Sequence, residues 1–123
     1  MKEKEPRILV VEDDYSLAAM YRALLRLAGF AVDVAGDAIA ALRYLDQSSP
    51  PDLVVLDLHL PGIRGEAVLG EISATPALRQ IPVIVVTGSD ARPAVAQATA
   101  ILRKPCDPSR LVSIVERHLS RVA

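Results

Sequence analysis

Apolar residues along this chain follow two rhythms that alternate from one end to the other. Short, mostly apolar runs occupy residues 8–11, 32–35, 53–57, 81–86 and 101–103, and the third of them closes on the carboxylate of Asp57. Between them, apolar positions recur at helical spacing. Leu17, Met20, Tyr21, Leu24, Leu25 and Ala28 form one such stripe, stopped by Gly29. Ala38, Ala41, Leu42 and Leu45 form the second, opened by Asp37 as N-cap and closed by Ser48-Ser49-Pro50-Pro51. Val68, Leu69 and Ile72 mark the third. The last carries Leu111, Ile114, Val115, His118, Leu119 and Val122 behind an Asp107-Pro108 cap and first turn. The thinnest stripe, Val95, Ala98 and Thr99, lies within 91–100 and follows Pro93. It predicts a short or irregular fourth helix.

Strand then helix, five times over, predicts an α/β fold with a parallel sheet covered on both faces. The expected architecture is a flavodoxin-like (βα)5 doubly wound sheet with strand order 2-1-3-4-5. The 53–57 run, bounded by Pro51 before it and by Pro61 and Gly62 after, suits a strand buried on both faces. Asp57 then stands at its carboxyl end, the edge where open α/β sheets bind ligands. Glu12 and Asp13 end the first strand, Thr87 ends the fourth and Lys104 ends the fifth, so all five reach the same edge. Singly, each has a structural explanation: Asp57 as a turn cap, Thr87 as a strand end, Lys104 as a surface lysine and Asp14 as a helix cap. Jointly they describe a site. Three gathered carboxylates repel one another unless a cation intervenes, and Mg²⁺ suits oxygen ligands and phosphate. Lys104 supplies a positive charge, Thr87 a hydroxyl donor, and an aspartate beside Mg²⁺ is a known kind of phosphoryl acceptor.

Composition narrows the classes. A chain of 123 residues, 51% hydrophobic, makes one domain with an ordinary core. A net charge of −1 and the lack of a basic patch give no argument for nucleic acid or an anionic membrane. The single cysteine, Cys106, allows no internal disulfide, fits a reducing compartment and reads as packing. Residues 1–6 form a charged tail without a signal region, and no apolar run approaches the ~18 residues of a membrane span. A cytoplasmic location is expected.

From Ile8-Leu9-Val10-Val11-Glu12-Asp13-Asp14 to Lys104-Pro105 the chain resembles the receiver domain of two-component response regulators, which would place that domain at residues 7–123. The resemblance implies that Asp57 is the phosphoacceptor and that Glu12 and Asp13 are the metal-binding acidic pair. It implies that Mg²⁺ is held by Glu12, Asp13, Asp57 and the main-chain carbonyl of His59. Thr87 would be the switch hydroxyl and Lys104 the phosphate-pairing lysine, while Pro61-Gly62 and Gly65 match the turn after the acceptor. The implied function is acceptance of a phosphoryl group from a sensor histidine kinase or a histidine phosphotransfer protein. The domain would catalyse only its own phosphorylation and dephosphorylation, and would act on a downstream protein. His59 and Ser89, two positions beyond Asp57 and Thr87, would flank the phosphoryl site.

Two departures stand out. Ile101 occupies the switch position, three before the lysine, where the family usually has an aromatic, and the stretch from Thr87 to Lys104 is short. They are the best support for the alternative of a pseudo-receiver serving as a constitutive interaction module, against which the intact acidic pair, Asp57, Thr87 and Lys104 argue. An independent enzyme is a remote reading, because the carboxylates are not spaced Asp-x-Asp and no phosphate loop follows residues 8–11.

Overall fold

A computed structural model describes residues 5–47, 49–88 and 97–119. Its elements run β1 (Arg7–Val11), α1 (Tyr15–Leu27), β2 (Ala31–Ala35), α2 (Ala38–Gln47), β3 (Leu53–Leu56), α3 (Gly65–Ala74), β4 (Val83–Thr87), β5 (Ala100–Arg103) and α4 (Pro108–His118). All strand pairs are parallel and the order is β2-β1-β3-β4-β5. The expected topology is the observed one.

Alternation along each strand divides the core in two. Leu9, Val11, Val54 and Leu56 face Ala41 and Leu45 of α2 and Val68 and Ile72 of α3. Ile8, Val10, Leu53 and Val55 face Tyr21 and Leu25 of α1 and Leu111 and Val115 of α4. β3 is therefore buried at every position, as its unbroken apolar run requires. Each such leucine or isoleucine contributes roughly 1.5–3 kcal/mol by leaving water. β2, at one edge, is only half covered, with Asp33 and Val34 exposed. There the Tyr44 hydroxyl donates to Asp33 at 2.6 Å, and the Arg7 guanidinium lies 5.8 Å from the Tyr44 ring centre.

Local chemistry sets the helix ends. Asp14, Asp37 and Asp107 accept hydrogen bonds from the amides of Leu17, Ala40 and Ser109 at 3.0, 2.7 and 3.0 Å. Gly29, at φ 99°, takes the left-handed turn that stops α1.

The structure differs from the sequence reading at several element ends. β3 ends at Leu56, one residue before Asp57. β4 starts at Val83 rather than Ile81, because Pro82 has no amide to give, and it runs on through Thr87. Of the thin fourth stripe, residues 91–96, including Val95, lie outside the described residues, as do Ser89 and Val122. Its end is not helical: Ala98 packs on the core and Thr99 clips back onto β4. Thr99 donates its amide to the Val83 carbonyl at 2.8 Å and accepts the Val83 amide on Oγ1 at 3.0 Å.

Candidate functional site

The carboxyl ends of β1, β3 and β5 carry the site, and the sheet itself holds its main chain. The amide of Glu12 donates to Ala35, that of Asp57 to Val11 and that of Lys104 to Thr87, each at 3.0 Å. Each strand thus makes one more rung after its last regular residue, and the residue on that rung carries the functional side chain.

Lys104 Nζ lies between two acids, 2.7 Å from Glu12 Oε1 and 3.2 Å from Asp57 Oδ2. The other oxygens are held by main chain: Asp57 Oδ1 accepts the His59 amide at 2.9 Å, and Glu12 Oε2 accepts the Asp14 amide at 3.1 Å. Glu12 and Asp57 are each only 3% exposed, whereas Asp13 is exposed. One carboxylate oxygen from each of Glu12, Asp13 and Asp57 lies within 4.8 Å of the others. Such a hard, all-oxygen, triply anionic donor set fits Mg²⁺, and Asp13 faces the solvent from which an ion arrives.

Burial pushes the Glu12 carboxyl above its usual range and the charge of Asp57 adds to this; the Lys104 and Asp14 hydrogen bonds pull the other way without cancelling it. Burial pulls Lys104 down, but the Glu12 hydrogen bond and the Asp57 charge outweigh it and raise the ammonium above its ordinary value. Lys104 is therefore a permanent cation at neutral pH. It serves the acids as their counter-charge.

Of the residues singled out from sequence, Glu12, Asp13, Asp57 and Lys104 come together. His59 enters through its amide, and its ring is exposed. Thr87, 3% exposed, closes β4 beside Lys104. Ile101 is not brought to the acids; opposite Val85 and half-buried, it packs against the α2–α3 side of the core. Cys106 is likewise half-buried and packs against the α1–α4 side. Asp14 is a helix cap.

Gly65 matters more than its place in a turn suggested. A Cβ there would stand 2.4 Å from the Asp57 carbonyl oxygen and 2.7 Å from Leu58 Cα. The start of α3 is thus pressed onto the main chain of the central aspartate, and the Gly65 amide donates to Leu58 at 3.2 Å. Only the Asp57–Gly65 spacing could have hinted at this in the sequence.

The response regulator receiver domain family matches residues 8–116. Protein Rrf1 of Nitratidesulfovibrio vulgaris is 36% identical over 118 residues, 95% of this chain and 85% of that protein. The DNA-binding response regulator MtrA of Mycobacterium tuberculosis is 37% identical over 98% of this chain, which spans 54% of MtrA. Among solved structures, the receiver domain of a signal transduction histidine kinase from Syntrophus aciditrophicus superposes with a TM-score of 0.84 at 29% identity, covering 96% of this chain and 95% of that one. The receiver domain of sensor histidine kinase PA1611 from Pseudomonas aeruginosa PAO1 gives a TM-score of 0.84 at 28% identity, covering 96% and 100%. That structure has a magnesium ion coordinated in its active site cleft.

Proposed function

This chain belongs to the response regulator receiver domain family, and we propose that it accepts a phosphoryl group on Asp57 from a phosphohistidine donor and signals by the change this makes to its surface. The donor is a sensor histidine kinase or a histidine phosphotransfer protein. An Asp57 carboxylate oxygen attacks phosphorus, the P–N bond breaks, and its electron pair leaves with the donor imidazole. Hydrolysis of the acyl phosphate by water resets the domain.

Glu12, Asp13, Asp57 and the main-chain carbonyl of His59 would hold Mg²⁺, which supplies charge neutralisation to the phosphoryl oxygens when bound. The chain's own groups do the rest. The His59 amide orients the Asp57 carboxylate, Lys104 is placed to pass from Asp57 to the incoming phosphoryl group, and the Thr87 hydroxyl offers it a donor. Phosphorylation adds about 1.5–2 negative charges, and drawing Thr87 and Lys104 toward them biases the surface beyond β4 and β5. That surface works without an aromatic at Ile101. The downstream target is a protein, and the domain acts in the cytoplasm without itself touching nucleic acid. No helix among the described residues is long and apolar enough to cross a membrane.

One observation carries the reading: the buried Asp57 carboxylate is held at once by a lysine and a main-chain amide beside two further acids. A constitutive pseudo-receiver has no use for that arrangement, and beyond Ile101 and the short stretch before Lys104 nothing supports it. Incubation with acetyl phosphate and Mg²⁺ followed by intact-mass measurement tests the proposal. A single phosphoryl adduct is expected, absent with EDTA and absent in Asp57→Ala. An adduct that persists in Asp57→Ala would move the acceptor elsewhere, and no adduct from the folded protein with any phosphohistidine donor would end the proposal.

A further inference from the structure

Lys104 reaches across the sheet. β5 lies three strand positions from β1, about 14 Å at ~4.8 Å a step, and the Lys104 ammonium still lies 2.7 Å from Glu12 Oε1. The pair therefore depends on where the Lys104 main chain is held. The Lys104 amide on Thr87 fixes the chain against β4 only, and the next anchor is the Asp107 cap of α4.

Between them lies one contact to the far side of the site. Cys106 Sγ is 3.9 Å from the hydroxyl of Tyr21. Tyr21 is 2% exposed and sits on α1, the helix that starts directly after Asp13 and its Asp14 cap. Burial, then Cys106 and then the charges of Glu12 and Asp57 raise the phenol's ionisation far above neutral pH. The hydroxyl therefore stays protonated within the field of the acids. Buried, it needs a partner, and the thiol is that partner.

We infer that Tyr21 and Cys106 are a positioning pair, tying the turn after Lys104 to the helix after the acidic residues so that the lysine spans Glu12 and Asp57. The inference rests on the phosphoacceptor reading for its consequence and on the geometry for its substance. Two measurements on the full chain separate these. The first is the ¹H–¹⁵N signal of the Lys104 ammonium, assigned through its loss in Lys104→Met. The second is the rate of Asp57 phosphorylation by acetyl phosphate at saturating Mg²⁺.

In Tyr21→Phe, which keeps the buried ring, the ammonium signal broadens into solvent exchange. The rate falls about fivefold, the weight of one neutral hydrogen bond, while the Mg²⁺ Kd stays within about twofold. Cys106→Ala behaves alike, Cys106→Ser retains signal and rate, and the double variant Tyr21→Phe/Cys106→Ala is no slower than either single one. An unchanged ammonium signal in Tyr21→Phe, or losses that multiply in the double variant, overturns the pair. If the native chain takes no phosphoryl group, the functional reading fails, and the ammonium signal alone decides the positioning.

Discussion

Tyr44 shows how one contact writes a pH dependence into the edge of the sheet. Its hydroxyl is partly desolvated and donates to the Asp33 carboxylate at 2.6 Å, which together push its ionisation up to about 12, the first cause being burial. The folded state thus prefers the neutral phenol. This contribution is complete below the ordinary tyrosine value of 10.0 and is lost as pH rises from there through about 12. Titration by near-ultraviolet absorbance, with Tyr44→Phe to isolate the residue, is expected to show the late ionisation. In Asp33→Asn it moves back toward the ordinary value, and an unmoved midpoint there would mean that burial alone is responsible. Neither residue's partner was legible in the sequence, because residues 33 and 44 meet only once β2 and α2 have packed. The site acids were legible singly for the opposite reason: each follows an apolar run that announces its strand.

At the scale of elements, glycines of one helix carry opposite meanings. Gly65 opens α3 where a Cβ would strike the Asp57 carbonyl, whereas Gly70, midway along α3, has nothing within 4 Å of the same position. Gly65→Ala is therefore expected to force α3 away from β3, costing about 2–3 kcal/mol and slowing phosphorylation of Asp57. Gly70→Ala is expected to stabilise by about 0.5–1 kcal/mol through helix propensity alone. Chemical denaturation of both variants checks the pair, and equal effects would contradict the close approach. The sequence places Gly65 in the turn after Asp57 but does not show the close approach, since a backbone-to-backbone contact leaves no side-chain signature. The same limit applies at Thr99. Its spacing after Val95 and Ala98 reads as a helical stripe, yet its hydroxyl and amide both serve β4, a competition for the backbone that Thr enters readily.

Over the whole molecule, the sheet and the flanking helices of the described residues came through from the sequence because most of these elements announced themselves at the right period. The strand order followed from right-handed crossovers rather than from any one residue. What pattern alone does not show is that the lysine spans two acids, and that cation has a consequence for global stability. Lys104→Met leaves two buried carboxylates facing each other, so in EDTA it is expected to lose about 2 kcal/mol, less than a fully enclosed pair would because a quarter of the lysine side chain is exposed. If Mg²⁺ binds the same acids as proposed, it brings its own charge to them, and the difference from the native chain is expected to shrink on its addition. Urea denaturation with EDTA and with Mg²⁺ measures both gaps, and gaps of equal size would separate the lysine from the metal site.

The rungs formed by the amides of Glu12, Asp57 and Lys104 have one more implication. Protons on those three nitrogens leave only when the strands themselves part, so their exchange lifetimes belong with the slowest in the protein. Under the proposed function, a phosphoryl group on Asp57 would rest on main chain pinned by these rungs, and its effect is expected to pass outward through side chains and loops.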